Sequence, residues 1–94
     1  MRDYELMLIL DPTLDDDTLN GAAERIQALV TARGGEMTAL DPMGRRRMAY
    51  PIKQHRDGYY TVARFKMAPA AANELDRGLK LNDQVIRHLL INKD

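Results

Sequence analysis

The run Asp57-Gly58-Tyr59-Tyr60-Thr61-Val62-Ala63-Arg64-Phe65-Lys66-Met67-Ala68-Pro69 decides the fold. Asp-Gly is a strong signal for a tight hairpin turn, because such turns need positive φ at their centre. Tyr59 to Met67 is rich in aromatic and β-branched residues and reads as a strand. Pro69 suits the first turn of a helix, where its missing N–H is not needed, and Ala71 or Ala72, Leu75 and Leu79 follow on one helical face. Upstream of the turn, Met48 to Lys53 and Met37 to Asp41 read as extended chain. Pro42 and a Gly44-Arg45-Arg46-Arg47 segment interrupt them. Before these, Gly34-Gly35 ends a helix whose apolar face is Leu19, Ala22, Ala23, Ile26, Leu29 and Val30. Tyr4 to Leu10, closed by Asp11-Pro12, is a buried first strand. Downstream, Asn82-Asp83 breaks the second helix and Val85 to Ile91 forms a last strand. The order βαββαβ predicts an α+β, ferredoxin-like fold: a four-stranded antiparallel sheet with two helices on one face, in a single domain of residues 1–94.

Composition removes several classes of function. The chain has no Cys, no Trp and no Ser, and its only histidines are His55 and His88. Disulfide frameworks, thiolate metal sites and cysteine or serine nucleophiles lack their atoms. We therefore expect no catalytic residue, no metal, no cofactor and no small-molecule substrate. The longest apolar run, Leu6 to Leu10, is far below the ~20 residues that span a bilayer, so a soluble cytoplasmic protein with no membrane partner is expected. The formal net charge is zero, with 14 basic and 14 acidic residues. The halves differ, however: residues 1–43 carry three basic and nine acidic groups, residues 44–94 eleven and five. That asymmetry suits a molecule with one surface for phosphates and another for a basic partner; chance balancing is the plainer alternative.

Strand alternation assigns Leu6, Leu8 and Leu10 to the helix side with Ala63, Phe65, Met67, His88 and Leu90. It leaves Glu5, Met7, Ile9, Tyr60, Val62, Arg64, Arg87, Leu89 and Ile91 on the open side. Six large apolar side chains on an open face mark a partner surface. Asp15-Asp16-Asp17 reads as helix capping rather than a metal site, since no Gly or distal Glu follows at calcium-loop spacing. His88 reads as a core histidine with no carboxylate on its face, and His55 as solvated. Comparison of the 57–64 strand with an RNA-recognition motif mostly fails, because Asp57, Tyr60, Thr61 and Arg64 depart from the pattern. The strongest feature is Gly44-Arg45-Arg46-Arg47. Guanidinium forks suit phosphate oxygens, against the alternative of an ordinary solvated charge run.

The segment Gly44 to Ile52, GRRRMAYPI, resembles the G-[RK]-R-x-[LM]-A-Y-P-I stretch of the bacterial ribosomal small-subunit protein six family. Met1 to Glu5, Asp57 to Tyr60 and Leu81 to His88 extend the resemblance over essentially the whole chain. Pro42 and Met43 depart from it, since many members have an aromatic residue before the Gly. The resemblance implies the ferredoxin-like fold, no enzymatic activity, and a structural role on the ribosome: binding 16S ribosomal RNA in the central region of the small subunit as a heterodimer with small-subunit protein eighteen. It implies RNA-backbone contacts for Arg2, Arg45, Arg46, Arg47 and Arg87, with Tyr50 and Pro51 fixing the strand. The apolar open face, with Met7, Tyr60, Val62 and Leu89, is the surface expected to receive the protein partner. A small-ligand-binding regulatory module and an acylphosphatase-like enzyme share the βαββαβ order. Neither has its signature here, since Asp11-Pro12-Thr13 is acidic where a phosphate cradle needs Gly-rich donors and an Arg.

Overall fold

A computed structural model describes residues 1–94. Its elements are β1 (Arg2–Leu10), α1 (Asp16–Asn20), α2 (Ala22–Ala32), β2 (Glu36–Ile52), β3 (His55–Met67), α3 (Pro69–Lys80) and β4 (Val85–Asn92). The strands pair antiparallel in the order β2-β3-β1-β4. This is the ferredoxin-like arrangement: β1 sits inside the sheet, β2 and β3 form a hairpin, and β2 and β4 are the free edges. No helix is long and apolar enough to cross a membrane.

The core follows the strand parity. Tyr4, Leu6, Leu8 and Leu10 of β1 join Ala63, Phe65, Met67 and Val85 beneath Leu19, Ala22, Ile26 and Val30 of the first helical pair and Ala72, Leu75 and Leu79 of α3. Each fully buried large side chain among them contributes about 1.5–3 kcal/mol by leaving water. Asp15 caps the first helix, its carboxylate accepting the Thr18 backbone N–H at 2.7 Å. The Thr18 side chain first, and this backbone bond second, hold Asp15 below its ordinary pKa.

Three local expectations change. The first helix is divided at Gly21, which closes α1 and opens α2 with φ −81° and ψ −4° and whose residue type favours helix least among non-prolines. The stretch around Pro42 and the arginines is not a loop; it belongs to β2, which runs for 17 residues. Register shifts between Met37 and Ala39, Pro42 and Gly44, and Arg47 and Ile52 absorb the irregular residues as bulges, with Gly44 at φ 81° supplying the left-handed conformation one of them requires. Finally, the hairpin turns at Lys53-Gln54 and not at Asp57-Gly58. Both turn residues have positive φ, 49° and 68°, the signature of a type I′ turn, flanked by the Ile52 and His55 pair. Asp57 and Gly58 lie within β3.

Candidate nucleic-acid interface

The β2–β3 hairpin outruns the rest of the sheet. β1 ends at Leu10, which faces Tyr59 and, through it, Arg45. Beyond that row the hairpin has no third strand beside it. It curls across the open face, where Met48 packs with Ile9 and Ile86, bordered by Ile52 and Tyr60. Gly58 permits this approach, because a Cβ there would run into Ile9 Cγ2.

Strand periodicity separates the three consecutive arginines. Arg46, opposite Gly58, belongs to the open side; Arg45 and Arg47, opposite Tyr59 and Asp57, belong to the other. All three are exposed. None of them, nor Arg56 on β3, enters an ion pair. Arg45 Nη2 donates to the Pro12 carbonyl at 3.0 Å, tying the hairpin to the turn after β1. That turn is closed by its own carboxylate: Asp11 accepts from the Thr13 hydroxyl at 2.6 Å and from the Thr13 backbone N–H at 2.9 Å. Those bonds, the hydroxyl first, hold Asp11 below the usual carboxylate range, and they use a backbone donor that a phosphate cradle would need free. His55 Nε2 lies 3.8 Å from Asp11 Oδ2. The residue read as solvated is therefore half-buried and leans on the same turn.

Arg87 joins this end of the molecule. It faces Ile9 from β4, and its Nη1 donates to the Tyr50 hydroxyl at 3.2 Å. Arg2 does not join. It begins β1, eight residues from Leu10, which is about 26 Å at the ~3.3 Å rise of a strand, and its Nη1 stands 3.9 Å from Asp94 Oδ2 at the C-terminus.

Across the open face the register gives one row of Asp41, Val62, Met7 and Leu89 and a neighbouring row of Gly44, Tyr60, Ile9 and Arg87. Met7, Val62 and Leu89 are thus side by side, with Tyr60 in the next row. Leu89 is 41% exposed, and Met7, Tyr60 and Val62 are half-buried. Ile9 leaves the patch, being only 3% exposed under Met48 and Ile86. Glu5 and Arg64, paired at 2.9 Å, bound the apolar rows on the other side.

His88 corrects a further expectation. Its inward ring does meet a carboxylate, with Nε2 2.8 Å from Asp76 Oδ1 of α3. That hydrogen bond is the main cause of a lowered Asp76 pKa, with Lys80 adding to it. Sequence reading also missed Arg56 and the exposure of Tyr50. The only sequence signal for either was the unusual density of basic residues around the tip, which says nothing of cross-strand neighbours.

Residues 3–92 match the family model described as ribosomal protein S6. A small ribosomal subunit protein bS6 from Carboxydothermus hydrogenoformans is 45% identical over 94 residues, covering 100% of this chain and 98% of that one. The bS6 of Mycobacterium leprae is 46% identical with the same coverage. Among solved structures, 30S ribosomal protein S6 from Thermotoga maritima superposes with a TM-score of 0.91 at 28% identity, covering 98% of this chain and 87% of that one. Matched by the family model over residues 3–92 and by full-length relatives at 45–46% identity, this chain belongs to the ribosomal protein S6 family, as a structural protein of the small ribosomal subunit and not an enzyme.

Proposed function

We propose that the protein, acting as one domain, binds 16S ribosomal RNA in the central region of the small subunit as the heterodimeric partner of small-subunit protein eighteen. The observation that carries this reading is the pairing of two unlike surfaces at one end of the sheet. The β2–β3 hairpin exposes Arg45, Arg46, Arg47 and Arg56 without carboxylate partners, and the adjoining open face carries the apolar group Met7, Tyr60, Val62 and Leu89. Permanently charged, planar guanidinium groups bind phosphate oxygens in a forked geometry. Arg87 stands between the two surfaces, and Arg2 supplies a separate phosphate contact about 26 Å along the strand direction. Because the whole molecule has no net charge, counterion release is confined to these groups, and a basic partner docked on the open face adds the positive charge that the protein itself lacks.

The test is the salt dependence of binding to a ribosomal RNA junction fragment in the presence of protein eighteen. Replacing Arg46 and Arg47 by Ala is expected to reduce the magnitude of the log–log slope by about 0.9 for each phosphate that is no longer neutralised, taking the value for duplex DNA. An unchanged slope removes the hairpin from the interface.

A further inference from the structure

The hairpin contains a hollow that phosphate binding alone does not explain. Between the Arg47–Asp57 pair and the Ile52–His55 pair, β2 places four residues, Met48 to Pro51, where β3 has only Arg56. The surplus backbone bows outward around a space of about 280 Å³ lined by Arg47, Met48, Ala49, Tyr50, Pro51 and Arg56. Met48 fixes its base by packing on Ile9 and Ile86. Tyr50 is 60% exposed, and its hydroxyl accepts a hydrogen bond from Arg87 on β4.

From this juxtaposition we infer that the hollow receives one unpaired nucleotide of an RNA strand, its base stacked on Tyr50 and its phosphate held between Arg47 and Arg56. An aromatic face restrained at its hydroxyl end is a stacking platform, and unpaired guanidinium groups at its rim match the anionic half of the same ligand. The volume lies just below the range of small-ligand pockets, about 300–1,000 Å³, which suits a single nucleotide and not a longer stretch. Bases inside an A-form duplex are stacked on one another and cannot enter. Arg87 is a positioning residue: it orients the Tyr50 ring. The inference rests on the RNA-binding reading above and adds to it a site for a nucleotide that the RNA leaves unpaired.

The test is an NMR titration of the full chain with a short adenosine oligoribonucleotide and, in parallel, with a fully paired RNA duplex of the same length. Ring-current shifts are expected to move the Tyr50 ring protons upfield with the single strand and not with the duplex. Tyr50→Leu is expected to weaken single-strand binding about 5- to 150-fold, the range for loss of one base–aromatic stack, with duplex affinity unchanged. Tyr50→Phe keeps the ring and is expected to lose only about 2- to 10-fold, the worth of the bond to Arg87. Arg47→Gln and Arg56→Gln are each expected to reduce the single-strand salt slope by about 0.7. Amide spectra of the variants establish that each is folded. If Tyr50→Leu binds the single strand as the native protein does, or if the ring shifts equally with duplex, the inference fails while the RNA-binding reading stands. Tyr50→Leu weakening the docking of protein eighteen with RNA affinity unchanged also overturns it, in favour of a protein contact. If neither RNA binds the native chain, alone or with protein eighteen, the RNA-binding reading itself fails.

Discussion

Replacing Gly58 by alanine adds one methyl group where the structure has no room for it. A Cβ built at this position runs into Ile9 Cγ2 and comes within 3.3 Å of the Tyr60 ring and 3.7 Å of Met48 Sδ. Backbone strain is not involved, since Gly58 is not among the positive-φ residues. In an unobstructed strand the substitution would stabilise the protein by about 0.5–1 kcal/mol, because alanine loses less backbone entropy on folding. Here the obstructing methyl belongs to a β-branched side chain with restricted χ1 freedom, 3% exposed and held by Met48 and Ile86. It cannot swing away, so the hairpin must lift instead. Forcing a methyl into such packing costs about 1–3 kcal/mol, leaving a net destabilisation of up to about 2.5 kcal/mol and a fall in Tm of up to about 20 °C for a chain of this size. Urea and thermal unfolding followed by circular dichroism measure both. Ile9→Ala alone is expected to cost about 2–5 kcal/mol, but in the double variant the new methyl enters the space Ile9 vacates, so the combined loss falls short of the sum by at least ~1 kcal/mol. A Gly58→Ala protein as stable as the native one, with strictly additive effects in the double variant, would refute the idea that this glycine exists to let the hairpin close onto β1.

Three further outcomes follow from the geometry. Asp76 is held below its ordinary pKa chiefly by the His88 hydrogen bond, so its contribution to stability is fully present above about pH 4 and is lost as the pH falls through the lower folded value; Asp76→Asn is expected to lower Tm at neutral pH, with the gap to native protein closing in acid, as thermal melts across pH 2 to 7 would read. Leu89→Glu, on an exposed and open-face site, is expected to leave stability within about 0.5 kcal/mol while weakening docking of protein eighteen, and Met7→Glu, at a half-buried position in the same row, to weaken docking as well at a larger cost in stability; calorimetry of the two-protein mixture decides, and normal docking by both moves the partner surface elsewhere. Arg2→Ala and Arg46→Ala are expected to lower the RNA salt slope additively, as sites this far apart should, and a double variant that departs from the sum would show that the two groups do not contact the RNA independently.

The parts of the fold carried by periodicity were readable in the chain. Leu6, Leu8 and Leu10 alternate, and Ile26 with Val30 and Leu75 with Leu79 recur at helical spacing, so both the sheet parity and the buried helix faces follow from local order. What failed depended on partners remote in sequence. Asp57-Gly58 carries a turn dipeptide, yet Gly58 is needed where β3 passes Ile9, 49 residues away. The real turn at Lys53-Gln54 has no residue that favours positive φ, so it is imposed by the pairing on either side. The arginine triplet looked like one cluster because adjacency in sequence is adjacency in space only in a loop; on a strand it puts neighbours on opposite faces. Arg2 shared its chemistry with the triplet but not its place, and the His88–Asp76 contact joins two elements whose packing no single-chain pattern specifies.

The interrupted register of β2 also bears on self-association. An unpaired strand edge is a template on which another copy can add, and ordered stacking of this kind typically needs six or seven uninterrupted residues. Along β2 the register shifts leave runs no longer than the four residues Ala39 to Pro42 or Gly44 to Arg47, and Pro42 and Pro51 offer no N–H. The opposite edge lacks this protection: β4 pairs without a break from Arg87 to Asn92 and carries Leu89 and Ile91 toward solvent. The aggregation liability of the isolated protein is thereby confined to one side of the sheet, beside the apolar face that a bound partner would cover.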